Sequence, residues 1–203
     1  MVYVSIKNIS DAADKEKVKR CKVVQYGDNK DFIDAILSRK NTSSQQNSIE
    51  AYSLLDEMLA SLTDIKKAVL RRSENGKPYI ENEKVSFNLT HTDGAVACII
   101  NTDGGDVGID VELIGRDGQK IIDRFFDETA KQKYALSENK PLEFARIWTE
   151  KESFVKYTGT GLSDYRTDYP PTCKFTSFRS GDVLVTACTG ADATVRVWQN
   201  DED

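Results

Sequence analysis

The 203-residue sequence contains few of the residues that build metal or disulfide sites in proteins. His91 is its only histidine, so a metal site built from several histidines is excluded. The four cysteines (Cys21, Cys98, Cys173 and Cys188) lie far apart and form no C-x-x-C pair. Neither a zinc site nor a disulfide framework is therefore predicted, and a reducing cytoplasm is the expected setting.

Long apolar runs and an excess of positive charge are also missing. No apolar stretch approaches the length needed to cross a bilayer, and the N-terminal residues lack the features of a signal peptide. The formal net charge of −5 argues against nucleic-acid binding, which depends on clustered cations. Hydrophobic residues make up 39% and charged residues 30%, as in ordinary globular domains. Because the net charge is negative, any phosphate-binding site must depend on a local group of residues.

Apolar periodicity predicts a chain of mixed α and β elements. Strands are predicted at 2–6, 21–24, 85–91, 95–100, 107–113, 183–188 and 194–198. Helices are predicted around 32–37, at 49–62, at 121–136 with Ile122, Phe125 and Phe126 inward, and from Pro141 to a stop at Gly159. Asp103 to Asp106 form a predicted tight turn.

The end of the last predicted helix carries candidate catalytic groups. Glu152 and Lys156 are four residues apart and leave one helix face, and Lys151 adjoins them. A carboxylate between two lysines suits a site that holds a metal and receives phosphate. Two plainer interpretations remain open here. One is a solvent-exposed Glu–Lys pair, and the other is a capping box of Thr149 with Glu152.

Two further acids are predicted on a strand. Asp110 and Glu112 are two residues apart, so both project to one face while Ile109 and Val111 fill the other. Neighbouring carboxylates raise each other's pKa unless a cation lies between them, and a hard divalent ion bound through oxygen is the natural partner. The alternative is an alternating strand with a polar outer face.

The predicted strand at 85–91 ends in neutral or switchable hydrogen-bond donors. Phe87 and Leu89 face one way, Asn88 and Thr90 face the other, and His91 follows at the end. These donors suit phosphate oxygens, although a lone histidine is more often structural. A turn at Asn75 to Pro78 that bears Lys77 precedes the strand.

Four blocks occur in a fixed order at 76–78, 87–91, 108–112 and 148–162, the last ending in Gly159-Thr160-Gly161-Leu162. In order and approximate spacing they resemble the Sfp-type 4′-phosphopantetheinyl transferase family across residues 76–162. Thr90 stands where the family usually has serine, and Tyr52 stands where an arginine is expected. Arg39 and Lys40 are the candidates for the basic residues that contact the coenzyme's 3′-phosphate in the family.

The resemblance implies transfer of 4′-phosphopantetheine from coenzyme A to a serine of an apo acyl or peptidyl carrier protein, releasing adenosine 3′,5′-bisphosphate. It implies that Mg²⁺, or Mn²⁺, is held by Asp110, Glu112 and Glu152. Glu152 would also act as the base, directly or through a metal-bound water, and Lys156 would stabilise or protonate the departing phosphate. The remaining implied coenzyme contacts are Lys151, Thr90 and His91 at phosphate oxygens, and Gly76, Lys77 and Pro78 at the adenine side.

The resemblance also implies an α+β fold of two similar halves with the active site in the cleft between them. The first half, 1–104, would carry the coenzyme-binding turn and His91. The second half, 105–203, would carry the metal-binding acids and the catalytic helix. A monomer with pseudo-two-fold symmetry is implied.

Two other classes of function fit the same residues. An Mg²⁺-dependent phosphoesterase would use the three acids with water in place of serine, and it would need no carrier. A non-catalytic module of the same fold would bind coenzyme A or a carrier and transfer nothing.

Overall fold

The computed structural model describes residues 1–9, 16–25, 27–161 and 167–199. Leu162, the last residue of the glycine-pair block, lies outside this part of the chain. The helices are α1 (Lys30–Leu37), α2 (Thr42–Leu62), α3 (Gln119–Phe125), α4 (Glu128–Leu136) and α5 (Lys140–Thr158). The strands are β1 (Val2–Asn8), β2 (Leu70–Arg72), β3 (Pro78–Ile80), β4 (Ser86–Thr92), β5 (Ala95–Asn101), β6 (Val107–Leu113), β7 (Cys173–Ser180), β8 (Val183–Gly190) and β9 (Val195–Val197). The predicted mixture of α and β elements is confirmed.

Two sheets carry most of the strands. The larger has the order β4-β5-β1-β9, in which β9 lies parallel to β1 and the other pairs are antiparallel. The smaller is antiparallel with the order β6-β8-β7, and β2 and β3 form a separate hairpin. The strand predicted at 107–113 coincides with β6.

Two apolar clusters hold these layers together. In the first, the buried face of α2 packs on the larger sheet, with Leu55 and Met58 against Phe87 and Ile100. The second joins the two sheets, because alternate residues of β1 and β5 meet alternate residues of β6 and β8. Every residue of β5 is buried, as its continuous apolar run predicts.

Helix α5 lies against β6 and β8 on the smaller sheet. Its N-terminus is capped by Asn139, whose side chain accepts a hydrogen bond from the Leu142 N–H at 3.1 Å. Its predicted end at Gly159 is confirmed, since this residue has φ 70°, the left-handed conformation that glycine adopts readily. α5 therefore runs without a break for 19 residues, and one of its faces packs on the sheet.

The backbones of α5 and β6 approach each other most closely at Gly108. A Cβ at this position would stand 2.0 Å from the Ser153 carbonyl oxygen and 2.4 Å from the Tyr157 nitrogen. Only glycine fits such a contact. The absent side chain thus sets the distance between the strand that carries the two acids and the helix that carries Glu152.

The structure excludes the capping-box alternative for Thr149 and contradicts one helix prediction. Thr149 caps no helix, because it lies inside α5 and its hydroxyl shares a 2.7 Å hydrogen bond with Thr186 of β8. The predicted helix at 121–136 is divided in two, since the Asp127 carboxylate starts α4 by accepting from the Ala130 N–H. The break turns Phe125 outward, where it is 42% exposed, while Phe126 is buried as predicted.

The strand predicted at 21–24 is also wrong. In the described structure these residues bend without joining a sheet, because the Asp56 carboxylate on α2 binds their backbone. It accepts from the N–H groups of Lys22 (3.1 Å), Val23 (2.6 Å) and Val24 (2.9 Å). The Asp56 carboxylate therefore binds the backbone N–H groups that a neighbouring strand would otherwise bind.

Within the described ranges, no helix combines the length and the apolar character needed to cross a membrane.

The Gly108 contact makes a testable prediction about stability. Gly108→Ala is expected to lower the free energy of unfolding by about 2–3 kcal/mol, because the new methyl group must push α5 away from β6. Gly190→Ala is the matched control, since a Cβ there, also in the smaller sheet, meets no atom within 4 Å. Urea unfolding of both variants measures the difference, and equal stabilities would contradict the assigned contact.

Candidate active site

Side chains from three elements meet in a buried polar cluster. Asp110 of β6 accepts from the Lys156 ammonium of α5 at 2.6 Å and from the Thr90 hydroxyl of β4 at 2.9 Å, both at Oδ1. The Lys156 Nζ also donates to the Thr90 hydroxyl at 3.0 Å. β4 belongs to the larger sheet, β6 belongs to the smaller sheet, and α5 packs on the smaller sheet. The cluster therefore forms only when both sheets and α5 are assembled.

This cluster keeps a charge inside the protein. Asp110 is only 6% exposed, so its carboxylate has lost most of its contact with water. A buried carboxylate is tolerated when a cation and hydrogen bonds compensate for the lost hydration, and here Lys156 and Thr90 do so. The predicted placement of Thr90 beside the acids is therefore observed, with its hydroxyl directed at Asp110.

Glu152 lies one helical turn before Lys156 and faces the same region. Partial burial raises the pKa of Glu152, and the negative charges of Asp110 and Glu112 raise it further, while Lys156 opposes them. A pKa perturbed by neighbouring carboxylates places the three acids within one another's electrostatic field. α5 and β6 thus bring Asp110, Glu112 and Glu152 to one side of the molecule.

Glu112 is held by groups of its own strand and the following turn. Its Oε1 accepts from the Leu113 N–H at 3.1 Å, and its Oε2 lies 3.6 Å from the Arg116 guanidinium. Burial raises the pKa of Glu112, and the charges of Asp110 and Asp93 act in the same direction. Among the described residues, no three histidine, cysteine or acidic side chains are grouped closely enough to hold a metal as they stand.

The chemistry of these acids nevertheless fits a hard divalent ion. Carboxylate oxygens are the ligands that Mg²⁺ prefers, and it keeps several waters of its own. In the described part of the chain, Asp110 Oδ2 and both oxygens of Glu152 have no hydrogen-bond partner. Glu112 would have to turn from Arg116 to join them. The donor set is therefore suitable, and one of its three members is turned aside.

His91 lies at the mouth of a cavity of about 870 Å³. The cavity is bounded by the N-terminal turns of α2 on one side and by residues 112–116 on the other. Nδ1 of His91 is 3.5 Å from the amide nitrogen of Asn47. Neighbouring groups that partly shield the ring from water lower the pKa of His91, and the positive charges of Lys156 and Arg39 lower it further. His91 and Glu112 therefore border the same space.

The turn that bears Lys77 contacts the end of α5. The Lys77 ammonium donates to the Tyr157 carbonyl oxygen at 2.9 Å and lies 3.7 Å from the Asp106 carboxylate. Burial lowers the pKa of Lys77, and Asp106 opposes this effect. A second cavity, of about 240 Å³, opens between this turn and α5, and Gly76, Lys77 and Pro78 line it.

Lys151 is placed differently from the other predicted residues. Its side chain is 4% exposed, and its ammonium lies 5.8 Å and 5.9 Å from the ring centroids of Phe154 and Tyr169. Cation–π contact stabilises an ammonium in such a place. A phosphate oxygen could reach Lys151 only if this aromatic packing opened.

Two residues near the site, Asn47 and Arg116, were not singled out from the sequence, and Asn88 was considered only as a donor to phosphate oxygens. Asn47 contacts His91, Arg116 holds Glu112, and Asn88 accepts from the Ile109 N–H at 3.1 Å. The alternation of β4 puts Asn88 on the same face as Thr90, which was the one available signal. Nothing in the sequence pattern connects Asn47 or Arg116 with the acids.

Comparison with known proteins bears on the part of the chain that holds the acids. Residues 106–202 match the family model described as the 4′-phosphopantetheinyl transferase superfamily. This segment includes Asp110, Glu112, Glu152 and Lys156. The resemblance to this family is thus confirmed.

Named relatives show the same likeness at moderate identity. The chain is 34% identical over 99 residues to the 4′-phosphopantetheinyl transferase gsp of Aneurinibacillus migulanus, covering 46% of this chain and 39% of the relative. It is 32% identical over 113 residues to the transferase psf-1 of Bacillus pumilus, covering 54% and 47%. It is 35% identical over 94 residues to the transferase Sfp of Bacillus subtilis, covering 44% and 41%. The chain spans less than half the length of each of these transferases.

The buried Lys156–Asp110 pair makes a prediction about stability. Lys156→Met is expected to lower the free energy of unfolding by about 2–3 kcal/mol, because the Asp110 carboxylate would remain buried with only the Thr90 hydroxyl as a hydrogen-bond partner among the described residues. Adding Asp110→Asn to this variant removes the uncompensated charge and should restore part of the loss. Chemical denaturation measures each variant.

Lys131→Met is the control for this pair. Lys131 forms a 2.8 Å ion pair with Glu128 at the surface of α4, where water screens the charges, so stability should stay within experimental error. If the Lys156 and Lys131 variants lose the same stability, the Asp110 cluster does not hold an energetically important charge.

Proposed function

We propose that this protein transfers the 4′-phosphopantetheine group from coenzyme A to a serine hydroxyl of an apo acyl or peptidyl carrier protein, releasing adenosine 3′,5′-bisphosphate. The observation that carries the proposal is the convergence of Asp110, Glu112, Glu152 and Lys156 from β6 and α5, inside a segment that matches the transferase superfamily. The relatives named above are themselves called 4′-phosphopantetheinyl transferases.

In this proposal Asp110, Glu112 and Glu152 would hold Mg²⁺ or Mn²⁺. When bound, the ion supplies Lewis-acid stabilisation of the charge that develops on the phosphate oxygens. Burial raises the pKa of Glu112 and of Glu152, and the charges of neighbouring carboxylates raise it further. A cation at this position would relieve that repulsion.

The chain's own groups would carry the proton and the charge. Glu152 accepts the proton of the carrier serine, for which a raised pKa brings a carboxylate nearer to the working range of a general base. Lys156 stands beside Asp110 and Thr90, where an ammonium can neutralise the departing phosphate. His91, bordering the larger cavity, and Thr90 hold further phosphate oxygens.

We assign the adenine side of the coenzyme to the smaller cavity at Gly76, Lys77 and Pro78. The two halves, 1–104 and 105–203, then contribute different parts of one cleft between them. In support, α2 packs on the larger sheet much as α5 packs on the smaller one. A monomer with pseudo-two-fold symmetry follows from this division.

Replacing the proposed base is the first test. Glu152→Gln keeps the shape of the side chain but cannot accept a proton, so the transfer rate is expected to fall by about 10²- to 10⁴-fold while coenzyme A still binds. Mass spectrometry of an apo carrier incubated with enzyme, coenzyme A and Mg²⁺ reports transfer, and calorimetry reports binding. Near-normal transfer would remove Glu152 from the role of base.

Glu143→Gln is the matched control, because it makes the same change in the first turn of the same helix. It is expected to transfer at the unaltered rate. The same assay separates the two rival functions. A phosphoesterase would hydrolyse phosphate esters without a carrier, and a binding module would bind coenzyme A without modifying any serine.

Removal of Asp110 tests the metal assignment. Asp110→Ala is expected to weaken the binding of Mn²⁺, followed by electron paramagnetic resonance without substrate, and to shift the Mg²⁺ dependence of transfer to higher concentration. An unchanged metal titration would exclude Asp110 as a ligand.

A further inference from the structure

The orientation of the Asn88 amide is fixed by its neighbour on the adjacent sheet. Its Oδ1 accepts from the Ile109 N–H of β6 at 3.1 Å. A backbone N–H can only donate, so the atom of Asn88 that faces it must be the carbonyl oxygen. The amide nitrogen Nδ2 consequently points away from β6.

The Nδ2 group has no hydrogen-bond partner among the residues that the structure describes. Asn88 is only 5% exposed, so most of its side chain is shielded from bulk water. It lines the cavity of about 240 Å³ between the Lys77 turn and α5. A ligand acceptor in this cavity would give the amide the partner that the protein does not supply.

The rest of this cavity offers little competition for that acceptor. Pro78 and Val155 provide apolar surface, and Gly159 and Gly161 expose backbone without side chains. The Lys77 ammonium is engaged by the Tyr157 carbonyl. The Lys156 ammonium, which also borders the cavity, is engaged by Asp110 and Thr90. The exposed Asn75 also lines the cavity, but only the Asn88 amide has its orientation fixed by a hydrogen bond to the neighbouring sheet. A slot with apolar walls and an amide donor of fixed orientation suits a flat heterocycle that carries a ring-nitrogen acceptor.

We propose that Asn88 is a specificity-determining residue that donates a hydrogen bond from Nδ2 to a ring nitrogen of the coenzyme's adenine. The inference rests on the proposed function, which supplies the coenzyme, and adds the group that recognises its base. Asn88 then has two roles. Its Oδ1 accepts the hydrogen bond that links β4 to β6, and its Nδ2 donates a hydrogen bond to the ligand.

Binding of adenosine 3′,5′-bisphosphate and its 1-deaza, 3-deaza and 7-deaza analogues tests this role by calorimetry. Each analogue replaces one ring nitrogen by a C–H group, which cannot accept. One of the three is expected to bind the unaltered protein about tenfold more weakly than the parent, as for the loss of one hydrogen bond. Equal affinity for all four ligands would overturn the proposal.

Asn88→Asp links the effect to this residue. Aspartate still accepts from the Ile109 N–H but offers no donor, so the variant is expected to bind the sensitive analogue and the parent equally. Asn75→Asp adds the same charge at the edge of the same cavity and should retain the tenfold difference. Asn88→Ala, which offers no side-chain donor, replaces the aspartate variant if that one does not fold. A difference that persists in the Asn88 variants would assign the recognition to another group.

Failure of the inference can be told apart from failure of the proposed function. If the unaltered protein modifies a carrier with coenzyme A but discriminates against none of the analogues, only the role of Asn88 is lost. If it neither binds coenzyme A nor modifies a carrier, both proposals fall together.

Discussion

The contact between α5 and β6 is the constraint on which the candidate site depends. At Gly108 the two backbones meet without an intervening side chain, and this brings Lys156 within 2.6 Å of Asp110. If a methyl group at position 108 pushed α5 away from β6, Lys156 Nζ and Asp110 Oδ1 would lie beyond hydrogen-bond distance. The Lys156–Asp110 ion pair and Gly108 therefore both depend on the same close packing of α5 on β6. The precision of the site comes from two regular elements, and loops contribute mainly its borders.

The charges of the site are balanced in an uneven way. Asp110 has a lysine as its partner, Glu112 has a more distant and half-exposed arginine, and Glu152 has neither at hydrogen-bond distance in the described part of the chain. The apolar clusters on either side of the sheets contribute the stability that such a collection of acids needs. The fold thus tolerates repulsion at one place because it is well packed elsewhere, as functional sites often require.

Much of this arrangement could be predicted from the sequence, and the exceptions have physical reasons. Alternation placed Asp110 opposite Ile109, and glycine chemistry ended α5 at Gly159, because both depend on near neighbours. Thr149 was misleading since its local pattern imitates a cap while its true partner is Thr186, in a strand 37 residues further on. The contacts of Asn88 and Arg116 depend on how strands and turns come together. No local sequence pattern records such contacts.

The parallel pairing of β1 with β9 has a consequence for the order of folding. Val2 lies beside Val195, so the larger sheet cannot acquire β9 until the residues between these two strands have been synthesised. Until then one side of β1 exposes backbone groups that are open to other partners. Contacts between such distant residues also slow folding, because a long loop must close first. Completion of this sheet therefore follows the formation of the β1–β5 pair, and the edge of β1 that later takes β9 is the open edge in the meantime.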